Sequence, residues 1–202
     1  MKDYFSKFYD ALMAPFEKIK LKQLRKLLIA SLRGKILEIG AGTGNNMEYY
    51  SKGVDLTFTD ISKEMVEKEK KRANRFEIKA EFSVMPAEKL KFKNNSFDTV
   101  VATLVLCSVD DPVKALREMK RVCKKGGVIV LLEHVRSSNE YIASFQKLVL
   151  PLFHAVAGCN PYRNTLWSVR KAGLKPISVK NVWMGDIVKE IVIKKRDIPR
   201  IK

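Results

Sequence analysis

The run Lys35-Ile36-Leu37-Glu38-Ile39-Gly40-Ala41-Gly42-Thr43-Gly44-Asn45-Asn46 constrains the fold more than any other part of the chain. A short apolar strand reaches an acid and then opens into three glycines spaced two apart. Glycine in such a turn accepts positive φ and lets a ligand approach the backbone with no Cβ in the way. Two ligand classes use turns of this kind. A dinucleotide site asks for G-x-G-x-x-G, with its third glycine at the helix start. Here that slot holds Asn45, and the third glycine comes one residue early, at Gly44. A pyrophosphate would also meet Glu38 as a like charge, which argues against a phosphate as the ligand.

Around this turn the periodicity predicts a regular alternation of elements. Tyr4, Phe5, Phe8, Tyr9, Leu12, Met13 and Phe16 mark one helix face over residues 4–16, and Leu21, Leu24, Leu27, Leu28 and Leu32 a second stripe. Strands are expected at 35–39, 54–59, 78–84, 97–106 and 128–132, the fourth nearly unbroken in its apolar run, as in the centre of a parallel sheet. Helices are expected over 47–51, from a Ser62 cap to about Ala73, and from Asp111-Pro112 to Gly126-Gly127, with Cys123 on the buried stripe. A long helix over about 139–157, kinked at Pro151, precedes another at 164–172 and two short strands at 176–184 and 187–194 around Gly185-Asp186. Five strand–helix alternations and a final hairpin predict a doubly wound α/β sheet. The 202 residues make one domain: a helical lid (1–33), a nucleotide-binding core (34–135), acceptor-side helices (136–175) and terminal strands (176–202).

The charge is strongly positive, +17 from 39 Lys and Arg against 22 Asp and Glu. Lysine dominates, which favours diffuse solvated charge over forked phosphate recognition. A nucleic-acid surface, contact with anionic membrane and a thermophile-like Lys/Glu surface all remain open. Cys107, Cys123 and Cys159 show no CxxC spacing and form an odd set, so neither a disulfide framework nor a metal site is expected. The start of the chain lacks a secretory pattern, and no apolar run nears the ~20 residues that span a bilayer. A cytoplasmic protein, in peripheral contact with a membrane at most, is the expectation.

The pattern Glu38-x-Gly40-x-Gly42-x-Gly44 resembles motif I of class I methyltransferases that use S-adenosylmethionine (SAM). Asp60, ending the second strand 16 residues after Gly44, stands where that superfamily places its ribose-binding acid. Met85-Pro86-Ala87-Glu88 is similar to the usual Gly-Asp-Ala-Glu segment over adenine, with Pro86 replacing the aspartate. Asn94-Asn95-Ser96-Phe97-Asp98 and Arg121-Val122-Cys123-Lys124-Lys125-Gly126-Gly127 resemble two further markers of the fold. The resemblance implies a seven-stranded, mostly parallel, Rossmann-like sheet with an antiparallel C-terminal hairpin. It implies SAM as cofactor, held by Glu38, Gly40, Ala41, Gly42, Gly44, Asp60, Ile61, Ala87, Glu88 and Leu104.

Downstream, Thr103–Val109, Glu133-His134-Val135, Pro151-x-x-His154, Gly158-Cys159-Asn160 and Arg163 are similar to the methyltransferase-like 7 (thiol methyltransferase) group. The core also resembles the quinone and phosphatidylethanolamine methyltransferases. The animal thiol enzymes begin with an apolar membrane anchor, whereas this chain begins with a charged amphipathic segment. A small lipophilic acceptor is implied, with a thiol first and a lipid amine or quinone carbon as alternatives. An RNA methyltransferase and a non-catalytic SAM-binding protein are the competing classes. Against RNA stand the lack of an Asn/Asp-Pro-Pro-Tyr motif and of arginines clustered with aromatics.

Methyl transfer from a sulfonium is an in-line displacement that rests on positioning, with a base needed only for a protonated acceptor. His134 and His154 are the only histidines and the candidate catalytic side chains; either is equally compatible with a structural, hydrogen-bonded role.

Overall fold

A computed structural model describes residues 20–195; the aromatic helix expected over residues 4–16 lies outside them. The strands are β1 (Lys35–Ile39), β2 (Asp55–Asp60), β3 (Ala80–Val84), β4 (Phe97–Thr103), β5 (Cys123–His134), β6 (Pro176–Trp183) and β7 (Val188–Lys194). They form one sheet in the order β3-β2-β1-β4-β5-β7-β6. The first five run parallel, and β7 lies antiparallel between β5 and β6. The order reverses between β1 and β4, and open α/β sheets bind ligands at the carboxyl ends of the strands beside such a switch.

The α-helices among the described residues are α1 (Lys22–Ala30), α2 (Lys63–Arg75), α3 (Pro112–Val122), α4 (Glu140–Ala157) and α5 (Thr165–Lys171). Both faces of the sheet are covered. Leu37, Val100 and Leu131 pack with Leu116 and Met119 of α3 and Val169 of α5. On the other face Ile36, Phe58 and Val101 pack with Ile29 of α1, Met47 and Ala73 of α2. Burial on both sides is why the central strands read as continuous apolar runs rather than alternating ones. The predicted caps form: Ser62 Oγ accepts from the Met65 amide and Asp111 Oδ1 from the Lys114 amide.

Three local expectations need correction. Residues 47–51 do not form an α-helix; only a 3₁₀ turn, Met47–Tyr49, is present, and Tyr50 leaves it extended so that its hydroxyl reaches Glu38. Leu27 is 75% exposed, and the buried stripe of α1 runs through Leu21, Arg25, Leu28 and Leu32 instead. Helix α3 ends at Val122, and Cys123, Gly126 and Gly127 belong to β5 rather than to the helix end. Phe97 pairs with Cys123 in the sheet. On α4, Tyr141 (89%), Phe145 (63%) and Leu148 (76%) face solvent.

Asp98 and Asp186 tie the architecture together. At the amino edge Asp98 accepts the Lys35 amide (2.9 Å) and Lys124 Nζ (2.8 Å), joining the starts of β1, β4 and β5. Asp186, in the β6–β7 turn, binds the Ser137 hydroxyl and both the amide and hydroxyl of Ser138, fixing the chain between β5 and α4. Among the described residues no helix is long and apolar enough to cross a membrane.

Candidate active site

The glycine loop leaves β1 at the carboxyl edge and is held there by β2. Gly40 and Ala41 donate their amides to the Thr59 carbonyl, and Gly42 donates to Asp60 Oδ2 at 3.1 Å. Asp60 Oδ1 accepts the Ser62 amide at 2.9 Å. Its burial raises the carboxyl above the usual range, while the Ser62, Gly42 and Ile61 amides pull it back. Each oxygen keeps a lone pair that these amides do not fill.

Gly40 (φ +62°) could not carry a side chain: a Cβ there would lie 2.7 Å from Val105 Cγ2. Gly42 (φ +61°) is different, because a Cβ would meet nothing within 4 Å. The middle of the loop therefore faces open space.

Beneath the loop lies a buried polar network that the sequence reading did not foresee beyond Glu38. Glu38 Oε1 accepts Asn46 Nδ2 (2.7 Å), and Oε2 accepts the Tyr50 hydroxyl. Asn46 Nδ2 also donates to Thr103 Oγ1 (3.0 Å). Arg25 donates to Asn46 Oδ1 (2.7 Å) and Thr103 Oγ1 (3.0 Å). Burial pushes the Glu38 carboxyl up to about 7, against the opposing pull of Tyr50, Arg25 and Asn46. On the loop's outer side Arg72 of α2 donates to Asn45 Oδ1 at 2.8 Å.

Glu69 of α2 completes an acidic group. It is fully buried, and neither carboxyl oxygen has a hydrogen-bond partner. Burial first, then the charges of Asp60 and Glu38, push it up to about 9. A helical signal was available for both missed residues: Arg25 and Glu69 each sit on the buried stripe of a helix, where charge is rare unless paired or neutralised.

A second group of side chains gathers where β4 and β5 end. Leu104 leaves β4 with φ +58°, an uncommon conformation for a residue with a Cβ, and its amide donates to the Leu132 carbonyl. Val105 and Leu106 then donate their amides to Glu133 Oε1, both at 3.0 Å. Burial raises the Glu133 carboxyl well above its ordinary range, as does the nearby Cys107. The donor atoms of Cys107, His134 and Cys159 all lie within 4.8 Å of one another. Both cysteines are buried and His134 is half-buried.

The other expected residues spread around this edge. Ile61 is 72% exposed beside Asp60, and the Met85 amide bonds the Asp60 carbonyl oxygen (2.9 Å), which brings the 85–88 segment next to it. Ala87 is buried, whereas Glu88 Oε1 accepts the Asp111 amide at the start of α3. His154 is exposed on the last turn of α4, outside the Cys107–His134–Cys159 group.

The glycine loop joined to a strand-end acid, at the switch point of a seven-stranded sheet, defines a nucleotide-type ligand site. Residues 37–131 match the family model described as a methyltransferase domain. The chain is 30% identical to the thiol S-methyltransferase TMT1B of Homo sapiens over 198 residues, covering 89% of this chain and 78% of that one. It is 34% identical to the phosphatidylethanolamine N-methyltransferase of Cereibacter sphaeroides over 116 residues, 56% of this chain and 57% of that protein's length. A solved SAM-dependent methyltransferase from Aquifex aeolicus superposes with a TM-score of 0.67 at 17% identity, covering 95% of this chain and 98% of that one.

The chain belongs to the SAM-dependent methyltransferase family, and its cofactor is SAM. The residues present fit that group. Asp60 and Glu38 place carboxyls beside the loop, which suits a ligand carrying positive charge, and the space over Gly42 leaves room for it.

Proposed function

We propose that this protein transfers the methyl group of SAM to a small lipophilic acceptor, a thiol before others. The observation that carries the SAM half is the Gly42–Asp60 bond, which joins the glycine loop to the acid at the end of β2. Bound there, SAM supplies an electrophilic methyl carbon on a positively charged sulfur. Asp60 offers two oxygens to a vicinal diol. Gly40, Ala41, Gly42 and Gly44 let the backbone pass beneath the ligand, and Glu38 sets the sign of the field there. Ile61 offers an exposed apolar side chain to an adenine ring, and Ala87, Glu88 and Leu104 border the same edge.

For the acceptor, support comes from the similarity to a thiol S-methyltransferase over most of the chain. A thiol forms its anion near neutral pH and needs little help from a base. Of the two histidines, His134 is the better placed for an acceptor-side role, since it ends β5 whereas His154 is exposed. A lipid amine is the second reading. The exposed Tyr141, Phe145 and Leu148 on α4, together with the net charge of +17, would suit peripheral contact with an anionic bilayer.

The test is incubation with methyl-labelled SAM and a panel of alkyl and aryl thiols, phosphatidylethanolamine vesicles, quinols and RNA. Label in the thiols is the expected result. Label in phosphatidylethanolamine selects the second reading, and label in RNA alone overturns both.

A further inference from the structure

The sequence spacing of the three cysteines gives no reason to expect a metal, but the fold does. Cys107 follows β4, His134 ends β5 and Cys159 follows α4, and the sheet order places β4 beside β5. The Asn160 amide donates to the Cys107 carbonyl at 2.8 Å, which fixes the third donor's segment against the first. We propose that Cys107 Sγ, Cys159 Sγ and an imidazole nitrogen of His134 form a binding site for one zinc-type divalent cation.

Geometry and chemistry both favour this. A tetrahedral zinc ion at ordinary Zn–S and Zn–N lengths holds its ligand atoms roughly 3.6–3.8 Å apart. The three donors here already lie within 4.8 Å of one another, so side-chain adjustments of about an ångström close the site. Two thiolates and one imidazole select zinc over magnesium or calcium, which require oxygen ligands. Cys₂His with a fourth position left to water is an established zinc donor set. His134 is half-buried, whereas both cysteines are buried.

The surroundings also call for positive charge. Glu133 Oε2 is buried with no hydrogen-bond partner, next in sequence to His134. A divalent cation replaces the two thiol protons, which leave to solvent, and offsets the negative charge that thiolates would add beside Glu133. This assignment stands on the three side chains and is independent of which acceptor the enzyme uses.

The experiment uses the full chain, reduced and stripped with a chelator, then titrated with Zn²⁺ and separately with Co²⁺. One equivalent of bound metal per chain, with thiolate-to-cobalt charge-transfer absorption, is the expected result. Cys107→Ser and Cys159→Ser should abolish that absorption, and His134→Gln should weaken metal binding at least tenfold. Cys123→Ser, which changes the remaining cysteine, should leave both unchanged. SAM binding, measured in parallel, separates loss of the site from loss of the fold. Two results overturn the proposal: reduced wild-type protein that takes up less than a tenth of an equivalent, or a cobalt spectrum that survives both serine substitutions. The wild-type titration decides the question even where a variant fails to fold.

Discussion

Gly42 donates its amide to Asp60 Oδ2 at 3.1 Å, so the middle glycine of one loop and the acid ending the next strand move as a single unit. Asp60→Ala removes both the acceptor for that amide and the oxygens offered to a ribose. A drop in SAM affinity of about ten- to a hundredfold is expected from the loss of charged hydrogen bonds of about 1.5–3 kcal/mol. Asp60→Asn, which keeps one carbonyl oxygen, should lose less. Calorimetric titration with SAM checks both, and unchanged affinity in Asp60→Ala would remove the ribose assignment.

Gly40 and Gly42 share a left-handed backbone but not their surroundings. Alanine at either costs about 1–2 kcal/mol for the conformation alone. At Gly40 the new methyl also meets Val105 at 2.7 Å, and overpacking of this kind adds about 1–3 kcal/mol. Gly40→Ala should therefore lower the thermal midpoint clearly more than Gly42→Ala. The second variant should fold and show its defect in SAM binding. A melt and a binding isotherm for each variant separate the two outcomes.

Asn46 bridges Glu38, Thr103 and Arg25 in the buried network. Asn46→Ala removes one hydrogen bond from Glu38 and one from Arg25, which keep Tyr50 and Thr103. A loss of about 1–3 kcal/mol in urea unfolding is expected. Asn46→Asp should be worse than Asn46→Ala, since it places a second carboxylate against Glu38.

The acidic group beneath the loop makes stability depend on pH. Below its ordinary value of 4.5, Glu69 is protonated whether the chain is folded or not. Above it the unfolded chain releases the proton while the folded one keeps it, up to about 9. Folding stability is therefore fully present at low pH and falls as pH rises through this window. Glu38 adds the same sign up to about 7. Glu69→Gln should flatten the decline between pH 5 and 9, and urea midpoints across that range provide the measurement. An unchanged slope would mean that Glu69 ionises normally in the folded chain.

The sheet was legible because its strands are buried on both faces and bounded by glycine, aspartate and proline. The glycine loop and Asp60, which the Gly42 bond joins, were legible because each is a local pattern. What escaped was set by long-range packing. Residues 47–51 carry helix-forming side chains, yet the demand of Glu38 for the Tyr50 hydroxyl opens the chain after one 3₁₀ turn. Leu27 repeats the leucine spacing but points outward, because Arg25 takes the inward position. The grouping of Cys107, His134 and Cys159 could not be read at all, since it depends on sheet order rather than on spacing.

Asp186 has a consequence for how the chain comes off the ribosome. It anchors Ser137 and Ser138, and the adjacent Ile187 carbonyl takes the Val135 amide, yet these partners are made some fifty residues later. β7, which pairs with β5 on that side, is synthesised only after α4, α5 and β6. Until it emerges, the longest strand presents an open hydrogen-bonding edge, the kind that recruits another chain. A stalled or C-terminally clipped product should therefore aggregate rather than persist as a soluble, half-active enzyme.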